Sequence, residues 1–168
     1  QVFHSPDARW LAVVDQAQRM HLLNATTLTL AWSVPRFQAI DFSPDATMVG
    51  MLGTDGRVQF LDVATGRPLL PGMSPGGEPI DITFNNPGPL LAIQSRKSVE
   101  VWDCRESRRV ATFTHATAIS SMAFAGSHIA VGDGAGDLEI WNIQTGHSLR
   151  LPAHRNVIFA LQFNHRAD

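Results

Sequence analysis

Seven histidines, one cysteine and a glycine–aspartate string are the residues of this 168-residue chain best equipped to react or to hold an ion. His4, His21, His115, His128, His147, His154 and His165 show no i, i+4 pairing of the H-E-x-x-H kind, so no zinc site is expected. The string "GDGAGD" at 132–137 mimics part of a phosphate loop through Gly132, Gly134 and Gly136, while Asp133 and Asp137 could open a calcium loop. A phosphate loop needs a helix behind it whose N-terminus faces the anion. Here "LEIWN" follows, which reads as a strand. A calcium loop needs a third acidic ligand and a distal Glu, and the string supplies neither. It therefore reads as a hairpin turn, with Gly supplying the positive φ. Ser5, Ser43 and Ser74 each precede Pro, and no G-x-S-x-G occurs. Cys104 lies in an Arg-rich loop, where Arg105 would activate the thiol if it were exposed. Isolated turn aspartates supply no paired carboxylates at a set separation. The expectation is a chain without catalytic residues, metal or cofactor.

The elements that position these residues follow from composition and period. Apolar residues make up 44% and charged residues 17%, the balance of a domain able to bury a core. A formal charge of −2 and a pI near 6.4 give no basic field for a phosphate backbone, so nucleic acid is not expected as partner. No apolar run nears the roughly 20 residues of a spanning helix, so no membrane is expected either. One cysteine excludes an internal disulfide framework and fits a reducing, cytoplasmic setting.

Periodicity near 40 residues organises the whole chain. Phe3, Phe42, Phe84, Phe124 and Phe163 stand 39, 42, 40 and 39 residues apart. A second marker keeps step, as Leu23-Asn24, Leu61-Asp62, Trp102-Asp103 and Trp141-Asn142, at separations of 38, 41 and 39. Within each unit, short alternating runs are broken by Pro, Gly, Asn and Asp, which is the pattern of strands and tight turns. The third unit shows four of them: 80–84, 89–94, 98–103 and 109–114. Their connectors are short enough to require antiparallel hairpins. No segment has helical periodicity. Repeated four-stranded units of this length predict a β-propeller.

The chain resembles the WD40-repeat family, most specifically in "FSPDATMVGMLGTDGRVQFLDVATGRPL" (42–69) and "SVEVWDCRESRRVATFTH" (98–115). The resemblance implies an all-β WD40-like β-propeller section: about four four-stranded antiparallel blades plus the first strand of a fifth. The units fall at 1–34, 35–76, 77–115, 116–154 and 155–168, all part of one domain. In the family a His between strands four and one, a Ser or Thr in strand two, a turn Asp and the strand-three Trp form a buried relay. Six residues before the strand-three marker, the Asp position reads Ala17, Asp55, Arg96 and Ala135, so only Asp55 matches. His115, His154, Trp102 and Trp141 match the His and Trp positions, yet none completes a set with Asp55. No full relay is expected, and the signature residues Asp55, Leu61, Asp62, Trp102, Asp103, His115, Trp141, Asn142 and His154 are scaffold.

The resemblance also implies function. It points to a non-catalytic interaction scaffold, or the sensor or regulatory region of a larger multidomain protein, with protein partners or other domains of the same chain. Possible partner contacts are Arg96 and Lys97 on one rim, Arg105, Arg108 and Arg109 on the opposite rim, and Asp133 and Asp137 in their turn. The alternative is a propeller enzyme with a hydrolase or metal site in a central channel. Because an open arc of blades leaves apolar faces bare, these residues are expected to belong to a longer propeller or to be completed by another chain. Expressed alone they should oligomerise or aggregate.

Overall fold

The structure is a computed structural model that describes residues 2–17, 19–152 and 154–163. Among the described residues sixteen strands form four antiparallel four-stranded sheets, each ordered as its strands occur in the chain. The first holds β1 (Val2–His4), β2 (Trp10–Val14), β3 (Met20–Asn24) and β4 (Leu30–Val34). The second holds β5 (Phe37–Phe42), β6 (Met48–Gly53), β7 (Val58–Asp62) and β8 (Pro68–Met73). The third is β9 (Pro79–Phe84), β10 (Leu90–Ser95), β11 (Ser98–Asp103) and β12 (Arg108–Thr114). The fourth is β13 (Ile119–Ala125), β14 (His128–Asp133), β15 (Asp137–Asn142) and β16 (Ser148–Pro152). These are the repeated four-stranded units that the period predicts, in the WD40-like propeller section that the resemblance implies. Among the described residues no helix is long and apolar enough to cross a membrane.

The chain divides into two compact units, Gln1–Gly76 and Gly77–Asp168. Each is a pair of sheets packed face to face. In the first unit Ala12, Met20 and Leu22 of sheet one meet Phe37, Ile40, Phe42, Val49, Met51 and Leu61 of sheet two. In the second, Ala92, Val99 and Val101 of sheet three meet Phe124, Ile129, Val131 and Trp141 of sheet four. Period-two alternation sends these side chains to one face of each strand and polar or partly exposed ones to the other. Inner strands are enclosed on both faces, which is why β6, β10 and β14 read as nearly continuous apolar runs.

The turns are held by short polar side chains. Ser5 Oγ donates to Asp7 at 2.6 Å and accepts from Trp10 N at 3.0 Å. Ser43 repeats this with Asp45 at 2.7 Å and Met48 N at 2.9 Å. The Asx residue that ends each third strand caps the next turn: Asn24 accepts from Thr26 and Thr27, Asp62 from Thr65, Asp103 from Arg105 and Glu106, Asn142 from Gln144 and Thr145. Gly66, at φ 68°, places its Cα against the Trp32 ring, and Trp32 Nε1 donates to Val63 O at 2.9 Å.

Two expectations need correction. Phe3 is not in step with the other phenylalanines. Phe42 pairs with Val49, Phe84 with Leu91 and Phe124 with Ile129, but it is His4 that pairs with Leu11, while Phe3 faces Ala12 on the opposite side. A one-residue slip reverses the face. Accordingly Phe3 is 38% exposed, against 6% for Phe42. The run 157–163 is also not a strand. Among the described residues, the first strand of a sheet pairs only with the second strand of that sheet, and residues 157–163 pair with none. Instead Ile158 lies on sheet four: its N–H donates to Asp133 O at 3.0 Å, and its carbonyl accepts from Ser120 Oγ at 2.7 Å.

Candidate functional site

The densest group of ionisable side chains sits between sheets three and four. His115, in the connection from β12 to β13, is fully enclosed. Its Nε2 meets Asp133 Oδ2 at 3.2 Å and its Nδ1 meets Glu139 Oε2 at 2.7 Å. The Thr117 hydroxyl donates to Asp133 Oδ2, and the Ala135 and Asp137 N–H groups donate to Asp133 Oδ1 at 2.9 and 3.0 Å. Trp141 stands edge-on to His115, with centroids 6.2 Å apart, and stacks on Phe113 at 5.2 Å.

This network corrects one expectation. The full family set is absent, since Ala135 stands at the counted Asp position, and Asp133 carries a different relay instead. Asp133 ends β14, two residues earlier, and its carboxylate reaches His115 directly while closing the 134–136 turn through its own backbone contacts. Asp133 is consequently buried and unable to touch a partner, contrary to the expectation that placed it in a contact loop. The signal that could have found it is the Asp of "VGD" closing an apolar strand: such a residue needs partners. Glu139 was also missed. It lies two residues before Trp141, as Glu100 lies two before Trp102, and "EIW" and "EVW" carry that spacing openly.

The electrostatics are those of a satisfied structural cluster. Burial works to raise the Asp133 carboxyl, but Thr117, the Asp137 N–H, His115 and the Ala135 N–H outweigh it and hold it down at about 2. Burial likewise opposes ionisation of Glu139, and His115, Ser148 and Trp141 carry it below the usual carboxylate value. Both nitrogens of His115 are engaged, so neither is free to take a proton from a substrate or to bind a metal. Among the described residues no group of three His, Cys, Asp or Glu side chains is placed to hold a metal ion.

The remaining signature residues are apart from this network. Asp55 is exposed and accepts from Arg57 N at 3.1 Å, while Leu61 is buried in the core of the first unit. Trp102 Nε1 donates to Glu100 Oε2 at 2.9 Å, and Arg109 closes on the other oxygen at 2.9 Å. His154 is exposed, with its N–H on Gly136 O. Of the charged candidates, Lys97 Nζ donates to Ala116 O, Arg108 pairs with Glu106, and Asp137 pairs with Arg150 at 2.5 Å. Arg96 and Arg105 are exposed and have no ion-pair partner among the described residues. Cys104 is buried, and desolvation followed by the Asp103 charge pushes its thiol up to about 12, so Arg105 does not activate it.

On sheet one His21 bridges Ser33 Oγ at 2.8 Å and Asp15 at 3.0 Å, with Arg19 also on Asp15. Beside β7 and β8 a cleft of about 300 Å³ opens where the pairing of the two strands slips, lined by Arg57, Gln59, Pro68, Leu70 and Ser74. Its lining contains no His, Cys, Asp or Glu.

The fold and the site define a WD40-like β-propeller section whose best-formed polar cluster serves the scaffold. The solved WD40 repeats of RRP9 superpose with a TM-score of 0.82 over 94% of this chain and 52% of that one, at 16% identity. The structure of U3-55K gives 0.82 over the same shares at 15% identity. The guanine nucleotide-binding protein subunit beta of Schizosaccharomyces pombe is 30% identical over 92 residues, 52% of this chain and 30% of that protein. The chain thus spans about half the length of the solved structures it matches and under a third of that relative. No family model matches it.

Proposed function

We propose that the chain is a non-catalytic interaction platform, a scaffold or regulatory region of a larger, cytoplasmic multidomain protein, and that its partners are proteins or other domains of that chain. One observation carries this reading: the polar side chains fit for chemistry are spent on the fold, whereas Arg96 and Arg105 stand exposed on turns at opposite ends of the third sheet. Strands locked by packing and turns locked by Asx and Ser caps present such loop tips with little ordering cost on binding. The fold likeness supports the reading, as does the fact that the yeast relative is by its own name a subunit.

The test is quantitative capture from source cells with the wild-type chain, Arg96→Glu and Arg105→Glu. A protein retained by the wild type and lost with one charge reversal, at unchanged thermal unfolding, supports the proposal. Stoichiometric metal, or hydrolase turnover that copurifies with the folded chain, refutes it.

A further inference from the structure

The cleft beside β7 and β8 stands where sheet two departs from its sister sheets. Residues four and two before the third-strand marker share one face of the third strand. In sheet one these are Arg19 and His21, and one carboxylate oxygen, Asp15 Oδ2, serves both, at 2.9 and 3.0 Å. In sheet four they are Asp137, paired with Arg150, and Glu139, bonded to His115. Sheet two places Arg57 and Gln59 there, but Gly53 stands where sheets one and four have Asp15 and Asp133. Both side chains are exposed, and neither has a hydrogen-bond or ion-pair partner among the described residues.

The fourth strand supplies no partner either. His21 lies opposite Ser33, Glu100 opposite Thr112 and Glu139 opposite Arg150. Gln59 has no opposite residue, because Val58 pairs with Met73 and Phe60 with Leu70, so β8 carries one residue more than β7 across that step. Pro71 and Gly72 fill the gap without a charge or a side-chain donor. A Cβ on Gly72 would come within 3.1 Å of Val58 O in the cleft wall, so the absence of a side chain there helps keep the space open.

The lining defines what the space takes. Arg57 offers the planar pair of donors that matches a carboxylate, and Gln59 and Ser74 add neutral donors beside it. Asp55 and Asp62, the acids nearest in sequence, turn their carboxylates onto the N–H groups of Arg57 and Thr65 and do not line the cleft. Its volume of about 300 Å³ is the lower end of the roughly 300–1,000 Å³ of small-molecule pockets, which suits a single side chain. Leu70 and Pro68 give that side chain an apolar wall, and β8 is the edge strand, with Leu69 47% exposed beside the opening to meet the chain that carries it.

We propose that this cleft binds an acidic side chain of a partner protein, with Arg57 as counter-ion to its carboxylate and Gln59 as second donor. The partner's carboxylate does for Arg57 what Asp15 does for Arg19 within sheet one. The inference rests on the platform reading in taking its ligand from a protein. The two fail separately, because capture that depends on Arg96 or Arg105 leaves Arg57 untouched and the titration below involves neither of those residues.

The probe is a capped, dye-labelled Gly-Gly-Glu-Gly-Gly peptide, titrated with the 168-residue chain and followed by fluorescence anisotropy. Binding should saturate, and the same peptide with glutamine at its centre should not bind. Arg57→Gln should weaken binding about tenfold or more and Gln59→Ala about threefold, both at unchanged thermal unfolding, since neither side chain has a partner to lose. Arg67→Gln, exposed on the same sheet outside the lining, should bind as the wild type does. No saturable binding, equal binding of the glutamine peptide, wild-type binding by Arg57→Gln, or an equal loss in Arg67→Gln overturns the proposal. Acetate competing as tightly as the peptide overturns the assignment to a protein side chain.

Discussion

Replacing Asp133 by Asn removes one charge from the centre of the His115 network with almost no change in shape. The carboxylate accepts four hydrogen bonds, two at Oδ1 from the Ala135 and Asp137 N–H groups and two at Oδ2 from Thr117 and His115. An Asn can keep the first two through its oxygen, but its NH₂ then faces Thr117 and His115. Thr117 can turn its hydroxyl to accept, so the net loss is one or two bonds to a charged group, each worth about 1.5–3 kcal/mol. The expected cost is about 3 kcal/mol. The acid limb gives a second reading. Because the folded carboxyl is held at about 2 against 3.8 in the unfolded chain, its ionisation stabilises the fold above pH 4. That stability, about 2 kcal/mol, is lost as pH falls from 4 through 2. Urea unfolding of wild type and Asp133→Asn at pH 7, 4 and 2.5 measures both effects. The variant should be less stable at pH 7, and the gap should narrow toward pH 2.5. Equal stability at pH 7, or a gap indifferent to pH, would refute the account of Asp133 as a charged anchor.

Other variants test the turns and the thiol. Gly66→Ala should cost at least about 2 kcal/mol in urea unfolding, since its φ of 68° is strained for Ala and the new Cβ would lie 2.7 Å from the Trp32 ring; a neutral result would mean that ring yields freely. Ser43→Ala should lower stability by about 1–2 kcal/mol, because Met48 N and Asp45 lose a shared partner inside a buried turn; the same change at exposed Ser74 should be silent. Cys104 should resist a thiol reagent at pH 8 in the folded protein and react fully in denaturant, given a thiol pushed up to about 12; rapid labelling of the native chain would show the β11–β12 loop to be open.

The period and the strands were legible because both depend on local pattern. Four residues of alternation followed by a turn leave little choice of structure, and the second marker proved more informative than its apolar half suggested. Its Asp or Asn caps the turn in all four sheets, which explains why that residue survives where Trp does not. Phe3 misled because counting aromatic residues is blind to which face they occupy, and one residue of slip was enough to exchange Phe3 for His4. The relay escaped because a count from Trp141 assumes a turn of constant length. The 134–136 turn instead lets the preceding Asp133 do the work. Residues 157–163 alternate like a strand, but alternation specifies a face to bury and not a ladder to join.

What the repeats share and what they vary divides along the strand. Two residues before the third-strand marker stand His21, Gln59, Glu100 and Glu139 in turn. His21 is held by Ser33 and Asp15, Glu100 by Trp102 and Arg109, Glu139 by His115. The same position is thus satisfied by a different local partner in each of these three sheets. No single loss then propagates from one repeat to the next, because the sheet–sheet contacts rest on apolar residues such as Val99, Val101, Met20 and Leu22 rather than on a common polar code. Degenerate signatures are in that sense permitted by the architecture. Nearest-neighbour packing sets stability in stacked repeats, and it leaves the polar positions free to diverge into the different rims that a binding surface requires.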